Sequence, residues 1–256
     1  MLDTDAAALH GLWDDLGVEP GMAVNCHSFL PALGRLVPGP EVVVDTLLER
    51  LGSRGSLIVP TFTYSYFEGK VYDVQRSPST VGALGDLVRT RPGSVRSLDP
   101  NFSMAAIGGD AHALMRRETP HSFGAGTVYE RLMRAGMHVL LLGVDFTALA
   151  LFMHLEKVHE VHYRYDKFFS GTTRHGDHTF EDTAVHFVRD EHLEPESYRS
   201  RVGDVIDRQP DCRRVALAYG EHRFVPAATV ARVVAESLVR DPYFLIEKPV
   251  GPAAER

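Results

Sequence analysis

Cysteine is nearly absent: the 256 residues hold two, Cys26 and Cys212. Two thiols allow one disulfide at most, and neither stands in a CxxC or other metal-ligand spacing, so a disulfide scaffold is excluded and reduced, buried thiols are expected. A basic excess is missing too. With 34 acidic against 27 basic residues the formal charge is −7, the wrong sign for displacing counterions from nucleic acid and the right one for attracting a cationic amine. No run reaches the eighteen or so apolar residues of a membrane span. The opening MLDTDAAALHGLWDDLGVEPG puts acids where a secretory signal carries bases, so a cytoplasmic protein is expected, with neither nucleic acid nor membrane as partner. Repeats, low-complexity tracts and long linkers are also missing, which predicts a single domain over residues 1–256.

What is present is an ordinary globular composition, 44% hydrophobic and 24% charged, enough to bury a sizeable core. Helical spacing of Ala8, Leu12 and Leu16 predicts a helix that Gly17 ends, and EVVVDTLLERLG predicts a second. MAVNCHSF, GSLIVPTFTYS, FSMAAIGG and HVLLLGV read as buried strands, the last as the most apolar and therefore central. STVGALGDLVRTRPG is a helix capped by Ser79 or Thr80, and TVYERLMRAG and ALALFMHLEKVHEV are further helices. HTFEDTAVHFVRD alternates like a strand or hairpin, and RRVALAYGEHRFVPAATVARVVAESLV gives strand, turn, strand and closing helix. The fold class is α/β with α+β character, a central mixed sheet flanked by helices and a β-rich excursion after residue 163.

Three readings compete for FMHLEKVHEVHYRYDKFFSG: a metal site, an acid–base centre, or the wet face of a helix. His154, His159 and His162 lack HExxH spacing, and RHGDHTF, with His175 and His178, reads as a surface turn. There is no GxSxG elbow and no GxGxxG loop. The loops after predicted strands are more informative, because open α/β sheets place ligands there. HSFLPALG, PTFTYS and RSLDPNFSM each offer hydroxyls or amides at a strand end.

In order along the chain stand HSFLPALG, VPTFT, RPGSVRSLDPNFSMAAIGG, FGAGTVYERL, HVLLLGV, HLE and YRYDK, with DPYFLI near the end. Together they resemble the aminoglycoside 3-N-acetyltransferase family, whose pattern runs HxSLxxlG, PTFT, pGxxRSxxPxxSxxAxG, GxxSPxxxL, LLLGV, HxxE and YR. Asp99-Pro100 stands where the family often has His-Pro, and the Pro of its SP pair is absent. Counting from Gly143, the family's catalytic His falls on Met153 and its Glu on Glu156, while the His present is His154.

The resemblance implies acyl transfer, usually of acetyl, from coenzyme A to an amine, with no metal. The amine must lose a proton, so His154 is expected as base with Glu156 beside it. Ser103 or a loop amide is expected to stabilise the tetrahedral oxyanion, and Asp99 to anchor the amine or cap its turn. Coenzyme A is expected at His27, Ser28, Phe29, Leu30, Gly34 and Thr61, and the acceptor at Tyr64, Asp99, Tyr163, Arg164 and Lys167. The acceptor class implied is an amino sugar, an aminoglycoside or a related secondary-metabolite amine, in a biosynthetic rather than a resistance setting. A carrier-protein-bound acyl donor and a homodimer remain open. Two alternatives stand beside this reading: a metal-dependent hydrolase using segment 154–178, and a non-catalytic relative that binds coenzyme A or another ligand.

Overall fold

The computed structural model describes residues 2–190 and 199–246, so residue 1, segment 191–198 and the last ten positions of the expected domain lie outside the described residues. In chain order the elements are β1 (Asp3–Thr4), α1 (Ala6–Leu16), β2 (Ala23–Ser28), β3 (Arg35–Leu36), α2 (Glu41–Leu51), β4 (Ser56–Pro60), β5 (Tyr72–Asp73) and α3 (Ala83–Arg89). Then follow β6 (Val95–Arg96), β7 (Met104–Gly108), α4 (Ala111–Met115), α5 (Val128–Arg134), β8 (His138–Leu142) and α6 (Leu151–Val158). The chain continues with β9 (Arg164–His175), β10 (His178–Arg189), α7 (Arg199–Ile206), β11 (Arg213–Leu217), β12 (Gly220–Pro226) and α8 (Ala227–Arg240).

Seven strands form the main sheet in the order β11-β12-β8-β2-β4-β7-β6. Only β8, β2 and β4 run parallel; the strands outside them pair antiparallel. The sheet is therefore mixed, as expected, with a short parallel centre. β9 and β10 pair over their full length and, with β5, make a separate three-stranded sheet, which is the expected β-rich excursion.

Alternation along the central strands divides the core. Val24, Cys26, Leu57, Val59, Leu140 and Leu142 pack in one cluster with Leu9, Trp13 and Leu47 of α1 and α2, while Ile58, Val139 and Leu141 join Leu132, Phe152 and Val230 of α5, α6 and α8 in the other. On β2, Asn25 and His27 alternate with Val24 and Cys26, so polar groups enter the second side; both are almost fully buried.

Several local expectations change. The N-cap of α3 is Gly82, with φ 106°, and not Ser79 or Thr80. The Ser79 amide instead donates to Asp86 Oδ1, 2.9 Å away. Helix α6 ends at Val158, because His159 caps it and Glu160 turns left-handed at φ 49°. His159 and His162 therefore share no helical face. Both cysteines are free thiols, Cys26 buried in the core and Cys212 half-buried. No described helix is long and apolar enough to cross a membrane.

Candidate active site

The parallel strands end in adjacent loops. After β2, Phe29 stands 56% exposed and donates its amide to the Leu142 carbonyl at the end of β8, 2.8 Å away. A short 3-10 turn, Leu30–Leu33, follows. It presses so closely on the chain after β8 that a Cβ at Gly143 would lie 2.1 Å from Ala32 Cβ, and Gly143 has φ 66°. Only glycine satisfies both constraints without movement. On the other flank Gly82 is exposed, its nearest neighbour being the Ser28 carbonyl, 3.7 Å from where a Cβ would be. Thr80 donates its amide and hydroxyl to the Phe62 carbonyl, both at 2.9 Å, which ties this flank to the loop after β4.

Of the six residues expected at coenzyme A, Ser28, Phe29 and Leu30 lie on this rim, half-buried or exposed. The other three do not. Gly34 is needed where the chain passes the Leu2 carbonyl, 2.5 Å from a hypothetical Cβ. His27 is 4% exposed and its Nε2 meets Asn25 Oδ1 at 3.0 Å; burial pulls its pKa down to about 4, against a hydrogen bond to the Ala148 backbone. Thr61 is fully buried, and its hydroxyl and carbonyl receive the guanidinium of Arg96 at 3.1 and 2.6 Å.

Ser103 belongs to the same buttress. Its hydroxyl donates to the Thr61 carbonyl at 2.6 Å and accepts from Arg96 at 3.3 Å, with no exposed surface. A proton committed in this way cannot stabilise an oxyanion, so the expected role is corrected.

Asp99 proves to be a cap. Its Oδ1 accepts the amides of Asn101 and Phe102 at 3.0 and 2.8 Å, and its Oδ2 accepts the Ser122 hydroxyl. The donors then fix every proton in sequence. Asn101 Oδ1 takes the Tyr66 and Phe67 amides at 2.9 and 3.2 Å, so its Nδ2 donates to His186 Nε2 at 2.7 Å. Ser122 gives its only proton to Asp99, so His186 donates from Nδ1 to Ser122 Oγ at 2.7 Å. His186, 1% exposed, is thereby held as a neutral Nδ1–H tautomer, and burial lowers its pKa while Asp99 opposes the shift. A carboxylate spent on two amides and a hydroxyl is not set up to anchor an amine.

Helix α6 separates the pair expected on it. His154 and Glu156 stand two positions apart, about 200° around the helix. Glu156 is 1% exposed and meets Arg164 Nε at 2.9 Å and the Tyr163 hydroxyl at 3.2 Å. Tyr163 and Arg164, expected at the acceptor, are instead buried with this carboxylate. His154, 4% exposed, accepts the Gly124 amide at Nδ1, 3.2 Å away, and stacks on Tyr129 with ring centres 5.9 Å apart. An amide only donates, so the neutral ring carries its hydrogen on Nε2. Burial lowers the His154 pKa to about 4, and the carboxylate whose field opposes that shift is Glu130 of α5. The half-buried residue in the first turn of α6 is Met153.

Beside Asn101 stands a set of rings of which the sequence singled out only Tyr64. Phe67 lies 4.6 Å from Phe169, 4.9 Å from His186 and 5.9 Å from Phe102, centre to centre, and Tyr64 stacks on Phe67 at 5.9 Å with planes 9° apart. Tyr64, half-buried, has φ 52°, an uncommon state for a bulky residue. Lys167 is exposed, with Nζ 5.5 Å from the centre of the Phe169 ring. The remaining histidines scatter: His162 packs on Tyr243 at 4.7 Å, and His175 and His178 face each other at the hairpin tip. Among the described residues no three of His, Cys, Asp and Glu converge as a metal site, which leaves the hydrolase alternative without a ligand set there.

The model of the family described as aminoglycoside 3-N-acetyltransferase matches residues 26–238. Aminoglycoside N(3)-acetyltransferase VII of Streptomyces paromomycinus is 32% identical over 163 residues, 55% of this chain and 56% of that protein. The match thus spans little more than half of that relative, whereas a type III enzyme of Pseudomonas aeruginosa is matched over 92% of its length at 26% identity, covering 84% of this chain. Among solved structures, AAC-IIIb as a binary complex with CoASH superposes with a TM-score of 0.81 at 20% identity, covering 98% of this chain and 100% of that one. AAC-VIa bound to sisomicin gives 0.83 at 24% identity, covering 93% and 98%. The mixed sheet, the strand-end rim and a family match over most of the sequence place this chain in the aminoglycoside 3-N-acetyltransferase family.

Proposed function

We propose that the protein is an acyl-CoA-dependent N-acyltransferase that moves an acetyl group from coenzyme A to the amine of a small molecule. The observation that carries this reading is the family match over residues 26–238, which takes in the end of β2, all of β4 and β8, and the loops that follow them. The relatives bound to CoASH and to sisomicin share the fold and support the two ligand classes. The relatives' names suggest amino sugars and related amines as the acceptor class.

The rim fits the donor. Ser28, the exposed Phe29 and Leu30 would line one side of the chain to the thioester, and Gly82, open beyond the Ser28 carbonyl, the other. When bound, coenzyme A supplies an acyl group activated as a thioester. Transfer forms an amide C–N bond, breaks the C–S bond and leaves the amine proton on the thiol or in solvent. Here α6 contributes a scaffold: Glu156, Arg164 and Tyr163 fasten the start of the hairpin to it. His154 holds the Gly124 amide. In this reading His154 is a positioning residue.

Coenzyme A at about a hundredfold over its Kd should raise the melting temperature by roughly 5 °C or more, since it stabilises only the folded state. Acetyl-CoA with the true amine should release free thiol, and Ser28→Trp should weaken the thermal shift without unfolding the protein. No shift at millimolar coenzyme A would remove the transferase reading. A shift without thiol release from any amine would favour the ligand-binding alternative.

A further inference from the structure

The aromatic side of the rim, beyond Phe62, has the wrong chemistry for a polycation. Sugars with several ammonium groups need carboxylate oxygens free to accept from them, or burial of their charges costs more than the contacts return. On the inner face of the hairpin and the loops beside it, the described carboxylates are already occupied. Asp99 accepts two amides and the Ser122 hydroxyl, Asp182 pairs with Arg117, and Glu68 pairs with Lys70. Asp166 and Glu181 alternate to the opposite face of the hairpin, where Lys157 holds the first at 2.8 Å and Thr172 donates to the second at 2.7 Å. The exposed ammonium of Lys167 stands over this side and would repel another cation.

What this side offers instead is a wall of π faces and edges. Phe67, 39% exposed, is the outermost ring, with Tyr64 parallel to it and Phe102, Phe169 and His186 edge-on or tilted behind. The Asp99–Ser122–His186–Asn101 chain locks the imidazole as an uncharged member of that wall. Such a surface favours a flat ring in offset or edge-to-face contact. It also adjoins the rim proposed for the donor through Phe62, which receives both Thr80 bonds and lies 5.1 Å from Phe102. The nearest imidazole on α6, His154, is buried and directed at Gly124. An amine carried on an aromatic ring is uncharged at neutral pH, because its lone pair is delocalised into the ring. It requires no base before it attacks a carbonyl.

We infer that the acceptor of this chain is an amine borne on a flat aromatic ring, seated against Tyr64 and Phe67, and not a polycationic amino sugar. The inference rests on the acyltransferase reading and narrows its acceptor class. Chemically, the ring amine's nitrogen bonds to the acetyl carbon, the thioester C–S bond breaks, and the proton leaves with the thiol or to solvent.

The test compares aniline with sisomicin, using full-length protein and acetyl-CoA, by thiol release, and in parallel by calorimetry of each amine without cofactor. Aniline should be acetylated in preference, and Phe67→Ala should raise its KM roughly tenfold while the KM for acetyl-CoA stays unchanged; Phe67→Leu serves as a control for folding. Preference for sisomicin, or aniline binding indifferent to Phe67→Ala, overturns the inference. If neither amine is acetylated, calorimetry separates the two ideas. Phe67-dependent aniline binding would keep the aromatic site and remove the transferase reading; absence of that binding would remove the aromatic site.

Discussion

Glu156 and Arg164 face each other with side chains 1% and 6% exposed, and Tyr163 donates to the same carboxylate. A buried ion pair of this kind is a fastening whose loss would strand a charge, not a reagent waiting for substrate. His154 is similar. Its Nδ1 satisfies the Gly124 amide at a position where the loop turns through φ 97°, and its ring covers Tyr129. His154→Ala should therefore leave an unsatisfied amide and a small cavity, lowering stability by about 2–3 kcal/mol in urea unfolding. Turnover on a good acceptor should fall less than tenfold. A loss of a hundredfold or more at unchanged stability, the size expected of a general base, would return His154 to the chemistry.

The 3-10 turn at Leu30–Leu33 and the end of β8 act as one unit. Phe29 bonds the Leu142 carbonyl, Ala32 accepts the Tyr219 amide at 2.9 Å, and Gly143 passes Ala32 with no room for a side chain. Gly143→Ala combines a left-handed backbone with a 2.1 Å overlap, so it should cost roughly 2 kcal/mol or more. Because relief requires the turn to move, the coenzyme A thermal shift should shrink in the same variant. Full stability together with a normal shift would mean that the turn and the strand end are independent. Tyr66 ties the β9–β10 hairpin to the loop after β4: its hydroxyl meets Thr173 at 2.8 Å and its ring faces Gly171 at 2.9 Å from a hypothetical Cβ.

Across the whole molecule, buried histidines set an acid limit, His27 and His154 with the largest shifts. His27 and His154 have folded pKa values lowered to about 4 from an ordinary 6.5, chiefly by desolvation. Below pH 6.5 the unfolded chain takes up protons that the folded chain refuses until about pH 4. Their contribution is therefore intact above pH 6.5 and is lost progressively as pH falls through that window, by up to about 3 kcal/mol for each fully buried ring. Urea unfolding followed from pH 7 to pH 4 should show this decline, and a His27→Asn variant should show a shallower one. A flat profile over that range would mean that the two rings titrate normally.

The elements were legible because short-range chemistry decides them. Gly17 ends α1, Thr127 caps α5 with its side chain on the Glu130 amide, and HVLLL is apolar enough to be an interior strand. The order of motifs was likewise sufficient to point to the family, since strand-end loops carry recognisable residues in sequence. Site membership was not legible, because it depends on which partner each polar group meets. Ser103 and Thr61 look available in a string of letters, yet Arg96, at the edge of the sheet, claims both. Asp99 resembles an anchor until Asn101, Phe102 and Ser122 fill its oxygens. Phe67 and Phe169 are about a hundred positions apart and meet only because β9 folds back beside β5. Periodicity and capping are local, so the sequence alone determined the longer helices, the central strands and the sheet class. Burial and hydrogen-bond occupancy are set by residues distant in the chain, so only the tertiary structure decided which groups remained able to touch a ligand.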